Sequence, residues 1–317
     1  MTLPASSSTP APSGLAARGL RLGYGDRVVV DGLSLDLSGA GTTAIIGPNG
    51  CGKSTLLRGL GRLLKPRGGQ VVLDGADIAR MPTKEVARRM AVLPQAPQAP
   101  EGLTVADLVA RGRHPHQAWY RQWSPGDEAA VDAALARTGM LEHAASPLDE
   151  LSGGQRQRVW ISMALAQDTG LLLLDEPTTY LDLAHQVEVL ELVTRLQRDD
   201  GRTVVMVLHD LNLAARYARR LVAMRDGAVV AQGAPAEVLT EELLDAVFGL
   251  PAKVIEDPVT GAPLVIPLGS YAVPADTAPA DTDTDTETDS AVGAGADDDD
   301  AGASVDTGAD EGAQRGR

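Results

Sequence analysis

The sequence predicts an α/β fold in which buried strands alternate with helices. Three short apolar runs have the length and composition of strands buried on both faces, namely residues 43–46, 171–174 and 203–208. Segments with helical patterning follow these runs, at residues 56–60, 183–198 and 213–220. The chain of 317 residues is long enough for one large domain or two modest ones.

A phosphate-binding loop lies between the first strand and its helix. The sequence GPNGCGKST has the glycine spacing, lysine and hydroxyl residue of such a loop. Glycines let the backbone wrap around a polyphosphate, and the following helix presents the positive end of its dipole. Lys53 can reach the outer phosphates, and the Ser54 hydroxyl can hold Mg²⁺. The residues expected to bind nucleotide are Gly47, Pro48, Asn49, Gly50, Cys51, Gly52, Lys53, Ser54 and Thr55.

Polar residues end the other two buried strands. Asp175 and Glu176 follow residues 171–174, and His209 follows residues 203–208. Ligands bind at the carboxyl edge of open α/β sheets, so these side chains are candidates for contact with the nucleotide. Adjacent strand residues point to opposite faces, which would let one carboxylate hold Mg²⁺ and the other orient or deprotonate water. The alternatives are an acid pair that caps a helix and a structural histidine.

A second helix start is predicted at the sequence LSGGQ, residues 151–155. Its glycines open a helix over residues 156–167, so backbone amides again face outward and form a second anion site. The residues involved are Ser152, Gly153, Gly154 and Gln155. The preceding residues 103–150 are predicted to form a helical insertion, with helix-start signals at Thr104 and Ser124.

Alternating patterns predict further strands outside this core. Residues 17–37 fit two or three antiparallel strands, and a terminal hairpin is expected at residues 221–224 and 229–232. Two short helices are expected before residue 248, and residues 262–267 can add one last strand. Tyr24, at a strand end before the phosphate loop, either stacks on a nucleobase or packs in the ordinary way.

The formal charge of −15 is unevenly distributed. Residues 274–317 hold thirteen acids and two arginines, which gives −11 and leaves −4 for the remainder. The nearly balanced remainder has no global basic field, which argues against a nucleic-acid partner. Residues 1–14 are expected to be a disordered leader and residues 274–317 an acidic disordered tail, because neither has the composition of a packed core. A solvated tail is favoured over one that binds divalent cations weakly or acts as a tether.

The single cysteine, the histidines of one segment and the lengths of the apolar runs give weaker indications of function. Cys51 is the one cysteine, which excludes an internal disulfide and fits a reducing compartment; a small residue is favoured there over a redox sensor. The histidines of segment 111–116 lack acidic partners, so a structural role is favoured over metal binding. No apolar run approaches the length of a bilayer span, and the amino end lacks the features of a secretory signal.

Together these stretches resemble the nucleotide-binding subunit of an ABC transporter, over about residues 15–270. The resemblance implies a P-loop NTPase with a RecA-like core, an antiparallel β subdomain and an inserted α-helical subdomain at about residues 100–167. GPNGCGKST matches Walker A, LSGGQ the signature motif and LLLLDE Walker B. Gln95 matches the Q-loop, Asp182 the D-loop, His209 the switch histidine and Tyr24 the A-loop aromatic. Tyr180 stands where the family often has a small residue.

The resemblance also implies roles, with ATP and Mg²⁺ as ligands. Glu176 is expected to be the base or water-positioning residue, with His209 and Gln95 beside it. Mg²⁺ is expected at Ser54, Gln95 and Asp175. Tyr24 and Asp182 complete the nucleotide contacts, together with the phosphate loop and Ser152 to Gln155. In this family ATP binds between two such domains, so a second copy is the expected partner.

A finer resemblance is to the ATPases of iron–siderophore importers of the ferrichrome, enterobactin and dicitrate type. The stretches that carry it are residues 110–117, 166–193 and 207–218. It implies integral-membrane permease subunits, indirectly a substrate-binding lipoprotein, and a peripheral location on the cytoplasmic face of the membrane. Importers of haem or cobalamin are close alternatives. Alternatives of other classes are a soluble ABC-type ATPase of iron–sulfur cluster assembly, one that acts on nucleic acid or ribosomes, and an exporter subunit.

Overall fold

The computed structural model describes residues 14–39, 41–117 and 123–269. The proposed leader, apart from Gly14, and the proposed acidic tail lie outside the described residues. Among the described residues, no helix combines the length and apolarity that a bilayer span requires.

The strands and helices follow the chain in this order: β1 Leu15–Tyr24, β2 Arg27–Asp36, β3 Thr42–Ile46, α1 Lys53–Leu60, β4 Gly68–Leu73, β5 Ala76–Asp77, α2 Thr83–Arg89, β6 Met90–Leu93, α3 Val105–Ala110, α4 Pro125–Arg137, α5 Gly153–Ala166, β7 Leu171–Asp175, α6 Leu183–Asp200, β8 Thr203–Val207, α7 Leu211–Tyr217, β9 Arg220–Arg225, β10 Ala228–Gly233, α8 Pro235–Val238, α9 Glu241–Leu243, β11 Ala252–Glu256 and β12 Pro263–Pro267. A further helical segment spans Leu244–Phe248. Short 3₁₀ turns lie at Arg111–Arg113, Leu141–His143 and Leu148–Glu150.

A six-stranded sheet forms the centre, in the order β10-β9-β3-β8-β7-β6. All of its neighbouring pairs are parallel except β9 with β10. In the register of β8 with its two neighbours, Val207 lies opposite both Ile45 and Asp175. The phosphate loop, the two carboxylates and His209 therefore leave the sheet at one edge.

The central sheet separates two hydrophobic clusters. Along β7, Leu171 and Leu173 face one cluster while Leu172 and Leu174 face the other. The first of these clusters includes α1 and the antiparallel sheet β2-β1-β4-β5, and the second includes α3 to α7. Burial on both faces explains why these strands are continuous apolar runs.

The helical insertion is built from α3, α4 and α5, each of which begins with a capping box. The capping residues are Thr104, Ser124 and Ser152, whose side chains accept from the backbone N–H of the third helical residue. The two helix starts predicted at Thr104 and Ser124 are thus confirmed, and so is the start of the helix at the LSGGQ sequence.

The segment 111–116 ties α4 to the end of α5. Arg113 forms a buried ion pair with Asp127 at 2.9 Å and donates to the carbonyl oxygen of Ala166 at 2.7 Å. His116 Nε2 lies 2.8 Å from the carbonyl oxygen of Gln167. These contacts agree with the structural role favoured for the segment.

The outer strands agree with the sequence expectations only in part. Residues 17–37 lie mostly in two long antiparallel strands, β1 and β2, joined by a tight turn, which confirms the expectation of two or three antiparallel strands. The strand expected at 262–267 is present as β12, but its partner β11 was missed because Lys253 and Glu256 interrupt the apolar pattern. The hairpin β9–β10 and the short helices before residue 249 lie where they were predicted.

We expect Leu173→Ala to lower the free energy of unfolding by about 2–5 kcal/mol, because it opens a cavity where the side chain is fully buried. Urea denaturation followed by circular dichroism measures the change. The matched control is Leu63→Ala, at a side chain that is 59% exposed, which should change stability by less than about 0.5 kcal/mol. Equal effects of the two variants would contradict the placement of β7 at the centre of the sheet.

Candidate nucleotide-binding site

The phosphate loop turns out of β3 with a backbone that requires glycine. Gly52 has φ of 108° and directly precedes α1. At Gly47 a Cβ atom would lie 2.3 Å from the carbonyl oxygen of Met224 and 2.8 Å from Cys51 Sγ. Cys51 is buried, and burial raises the pKa of its thiol. These contacts fit the small packing residue favoured at position 51.

The side chain of Lys53, the first residue of α1, reaches back into this loop. Its Nζ donates to the carbonyl oxygens of Gly47 at 2.8 Å and of Pro48 at 3.0 Å. The side chain is only 5% exposed, so the loop holds a cation on its inner surface. A polyphosphate bound there would meet this charge together with the amino end of α1.

Asp175 ends β7 with a carboxylate that has no hydrogen-bond partner among the described residues. Both of its carboxylate oxygens are buried and accept no hydrogen bond from the residues described. Burial raises its pKa, and the Ser54 hydroxyl, near but outside hydrogen-bond geometry, opposes that rise in part. A buried carboxylate beside a hydroxyl is an oxygen donor set of the kind that Mg²⁺ prefers, so these residues fit the metal.

Glu176 lies just beyond the end of β7, in a left-handed conformation with φ of 53°. One carboxylate oxygen lies 2.6 Å from His209 Nε2. The other accepts hydrogen bonds from the Thr179 hydroxyl at 3.0 Å and from the Gln95 side-chain amide. The tertiary fold thus joins the three residues expected to act in catalysis. We expected strand alternation to set the direction of the Glu176 side chain. Glu176 instead lies beyond the end of β7, so the turn after that strand sets the direction.

A cleft of about 400 Å³ lies over the phosphate loop, within the range of ligand pockets. Its lining includes Tyr24, which is 45% exposed, together with Glu176 and His209. The other lining residues are Arg27, Val29, Asn49, Gly50, Gly52, Lys53, Ser54 and Thr55. An exposed aromatic residue and a phosphate loop in one cleft offer contacts for the base and the phosphates of a nucleotide.

The predicted residues of the signature motif and Asp182 do not line this cleft, and neither do Gly47, Pro48, Cys51, Gln95 and Asp175. Ser152 and Gln155 are engaged with each other in the capping box of α5, and Gln155 Nε2 also lies 3.2 Å from His143 Nε2. Asp182 caps α6 through the backbone N–H of His185 at 3.0 Å. The cleft of a single chain therefore includes residues of the phosphate loop but not the predicted contacts from residues 152–155 or Asp182.

Two side chains that contact Glu176 or line the cleft were not predicted from the sequence. The Thr179 hydroxyl donates a hydrogen bond to the Glu176 carboxylate. The sequence feature that could have indicated this contact is the spacing of three residues across a tight turn. Arg27 lines the cleft because it pairs with Tyr24 across the β1–β2 turn. The Gly25–Asp26 turn sequence between strand patterns could have indicated that pairing.

This combination of fold and site is that of an ABC-type ATP-binding protein. The model of the ABC transporter family matches residues 30–179. An inward-facing metal-chelate type ABC transporter is similar in structure, with a TM-score of 0.70 at 29% identity over 82% of this chain and 98% of that one. A dimeric bacterial ABC transporter cassette has a TM-score of 0.61 at 29% identity, over 69% of this chain and 98% of that one.

The chain belongs to the ABC transporter ATP-binding proteins. It is 55% identical to the probable siderophore transport system ATP-binding protein YusV of Bacillus subtilis, over 81% of this chain and 94% of that protein. It is 52% identical to the ferric enterobactin transport ATP-binding protein FepC of Escherichia coli, over 83% and 97% respectively. The predicted family and the P-loop NTPase fold are thereby confirmed.

We expect Asp175→Asn to stabilise the ligand-free protein at neutral pH and to reduce ATP hydrolysis by about 10²-fold or more, because a metal contributes several kcal/mol to such reactions. Burial raises the pKa of Asp175, so the native state binds its proton more tightly and the charged form costs stability above that pKa. The stability gain of the variant should therefore shrink as the pH is lowered through the raised pKa.

The measurements are the urea midpoint across a pH series and the rate of phosphate release. Ser54→Ala is the matched comparison, because it should lower hydrolysis without removing the buried charge. A lower urea midpoint for Asp175→Asn at pH 7 would contradict this account of the carboxylate.

Proposed function

We propose that this chain is the ATP-hydrolysing subunit that powers an ABC importer for ferric siderophores. The observation that carries the cargo assignment is the identity of 52–55% to ATP-binding proteins named for siderophore, petrobactin, achromobactin and enterobactin transport, over at least 93% of each. A cobalamin import protein of Halobacterium salinarum is 43% identical, and the chain spans 60% of its length. The siderophore class is therefore favoured over cobalamin.

The proposed chemistry follows from the charges at the cleft. Lys53 and the amides of the phosphate loop bind the β- and γ-phosphates of ATP. Bound Mg²⁺, for which Asp175, Ser54 and Gln95 are the proposed holders, would neutralise charge on the phosphate oxygens. Tyr24 offers its exposed ring to the base.

Glu176 is the proposed base that orients and deprotonates the attacking water. Its carboxylate is held from both sides, by His209 on one oxygen and by Thr179 and Gln95 on the other. A base held in this way keeps a fixed orientation, which is what general base catalysis requires. His209, which also lines the cleft, is proposed to sense the γ-phosphate.

A second copy of the chain is proposed to complete the site. Ser152 to Gln155 and Asp182 lie away from the cleft of their own chain, with the α5 helix start free to meet an anion from outside. ATP held by one copy would gain contacts from the signature helix of the other, so ATP favours the closed pair. Hydrolysis removes those contacts and the pair opens.

The closing motion is proposed to reach a membrane permease through a groove next to Gln95. This groove is lined by the loop after β6 and by the helical insertion, at Pro97, Gln98, Ala99, Pro100, Glu101, Gly102, Leu148, Asp149, Arg156 and Trp160. A cytoplasmic helix of the permease is the proposed occupant, which places this chain at the cytoplasmic face of the membrane. A substrate-binding lipoprotein would deliver the cargo to the permease.

We expect Glu176→Gln to retain ATP binding and to lose about 10²–10⁴-fold in hydrolysis, because the amide keeps the shape but cannot act as a base. The variant should also accumulate as a dimer in ATP, which light scattering detects. Phosphate release and the binding of a fluorescent ATP analogue separate the two effects. Rapid turnover by the variant would remove Glu176 from this role.

The cargo assignment is tested by uptake of radiolabelled iron–siderophore complexes in cells that lack this gene. We expect uptake to be lost, restored by the wild-type chain and not restored by Lys53→Ala. His114→Ala, at an exposed residue away from the cleft, is the matched control and should restore uptake. Normal uptake in the deletion strain would contradict the siderophore assignment, and haem and cobalamin would then be tried as cargo.

A further inference from the structure

His185 links two motifs that the nucleotide cleft of this chain does not use. It is the third residue of α6, and its backbone N–H donates to Asp182 Oδ1 at 3.0 Å. Its ring Nδ1 lies 2.6 Å from the same oxygen. These two hydrogen bonds hold the pKa of Asp182 below its usual range, so the carboxylate stays charged.

The other side of the ring packs on the signature helix. A Cβ atom at Gly154 would lie 2.4 Å from His185 Cδ2 and 2.8 Å from Cγ. The ring therefore fills the space that any side chain at position 154 would need. At Gly153 the nearest atom to such a Cβ is Leu181 Cδ2, at 3.9 Å, which is an ordinary contact. The two glycines of the signature motif thus differ, because only at Gly154 does the His185 ring leave no room for a side chain.

The arrangement leaves the functional surfaces open. The Asp182 side chain is 67% exposed although one of its oxygens is held twice by His185. The amino end of α5 is held by its own capping box and does not line the nucleotide cleft. Asp182 and the signature helix are thereby fixed to one another while both still face outward.

We infer that His185 is a positioning residue that locks Asp182 to the signature helix, so that both approach the nucleotide of the second copy as one unit. The inference rests on the proposed function, since it assumes that the second copy's nucleotide is where the two motifs act. Without His185, the D-loop turn and the start of α5 would move independently, and fewer encounters of two copies would align both.

The first test compares His185→Ala and His185→Asn in the full-length chain. Alanine removes the ring hydrogen bond to Asp182, and we expect kcat for ATP to fall about ten- to hundredfold, as for loss of one hydrogen bond to a charged group. The affinity for a fluorescent ADP should not change, because His185 does not line the cleft. Asparagine places an amide where Nδ1 was and should recover part of the loss; His114→Asn is the control.

The second test is a double-mutant cycle that does not depend on activity. Gly154→Ala should lower the urea midpoint clearly in the wild type, because of the overlap with the ring, and much less in the His185→Ala background. Gly153→Ala is the matched control and should cost the same in both backgrounds. Additive effects of Gly154→Ala and His185→Ala would overturn the packing on which the inference depends.

The outcomes of these tests separate the inference from the proposed function. A wild-type chain that fails to hydrolyse ATP contradicts the proposed function, whatever the cycle shows. A wild-type chain that hydrolyses ATP, with His185→Ala equally active, overturns the positioning role alone. If His185→Ala does not fold, two measurements still test the inference. They are the activity of His185→Asn, and the stability costs of Gly153→Ala and Gly154→Ala in the His185→Asn background.

Discussion

The parallel pairing of β3, β8 and β7 is the constraint on which the rest of the structure depends. Because parallel strands end at the same edge, the phosphate loop, His209 and the two carboxylates are brought together although they are far apart in the chain. The register is fixed by side chains that alternate between two hydrophobic clusters. A shift by one residue would exchange the clusters, so the core itself holds the site in alignment.

This edge concentrates features that cost stability in the ligand-free chain. Among the described residues, the buried Asp175 carboxylate has no hydrogen-bond partner, and Glu176 has a left-handed backbone. Both features cost stability, whereas the buried Lys53 ammonium is satisfied by two backbone carbonyls. A buried carboxylate without a partner and a strained backbone at one edge of a well-packed sheet are a pattern that indicates function rather than folding.

The other half of the proposed site is organised differently. Ser152, Gln155 and Asp182 are satisfied within the chain as helix caps, and His185 packs their two helices against each other. The first half is therefore a cleft next to the Asp175 carboxylate, which has no partner among the described residues, whereas the second half is satisfied and faces outward. Two copies related by symmetry would bring the first half of one to the second half of the other.

The sequence by itself determined the local elements of this protein. The phosphate loop, the capped helix starts and the buried strands are each specified by residues within a short window, through glycine conformation, capping oxygens and apolar runs. Only the tertiary structure decided which side chains meet. The contacts of Glu176 with Gln95 and His209, the seating of His185 on Gly154 and the pairing of β11 with β12 join residues through packing between elements. No local pattern encodes such contacts, because they depend on how separate elements are stacked around the central sheet.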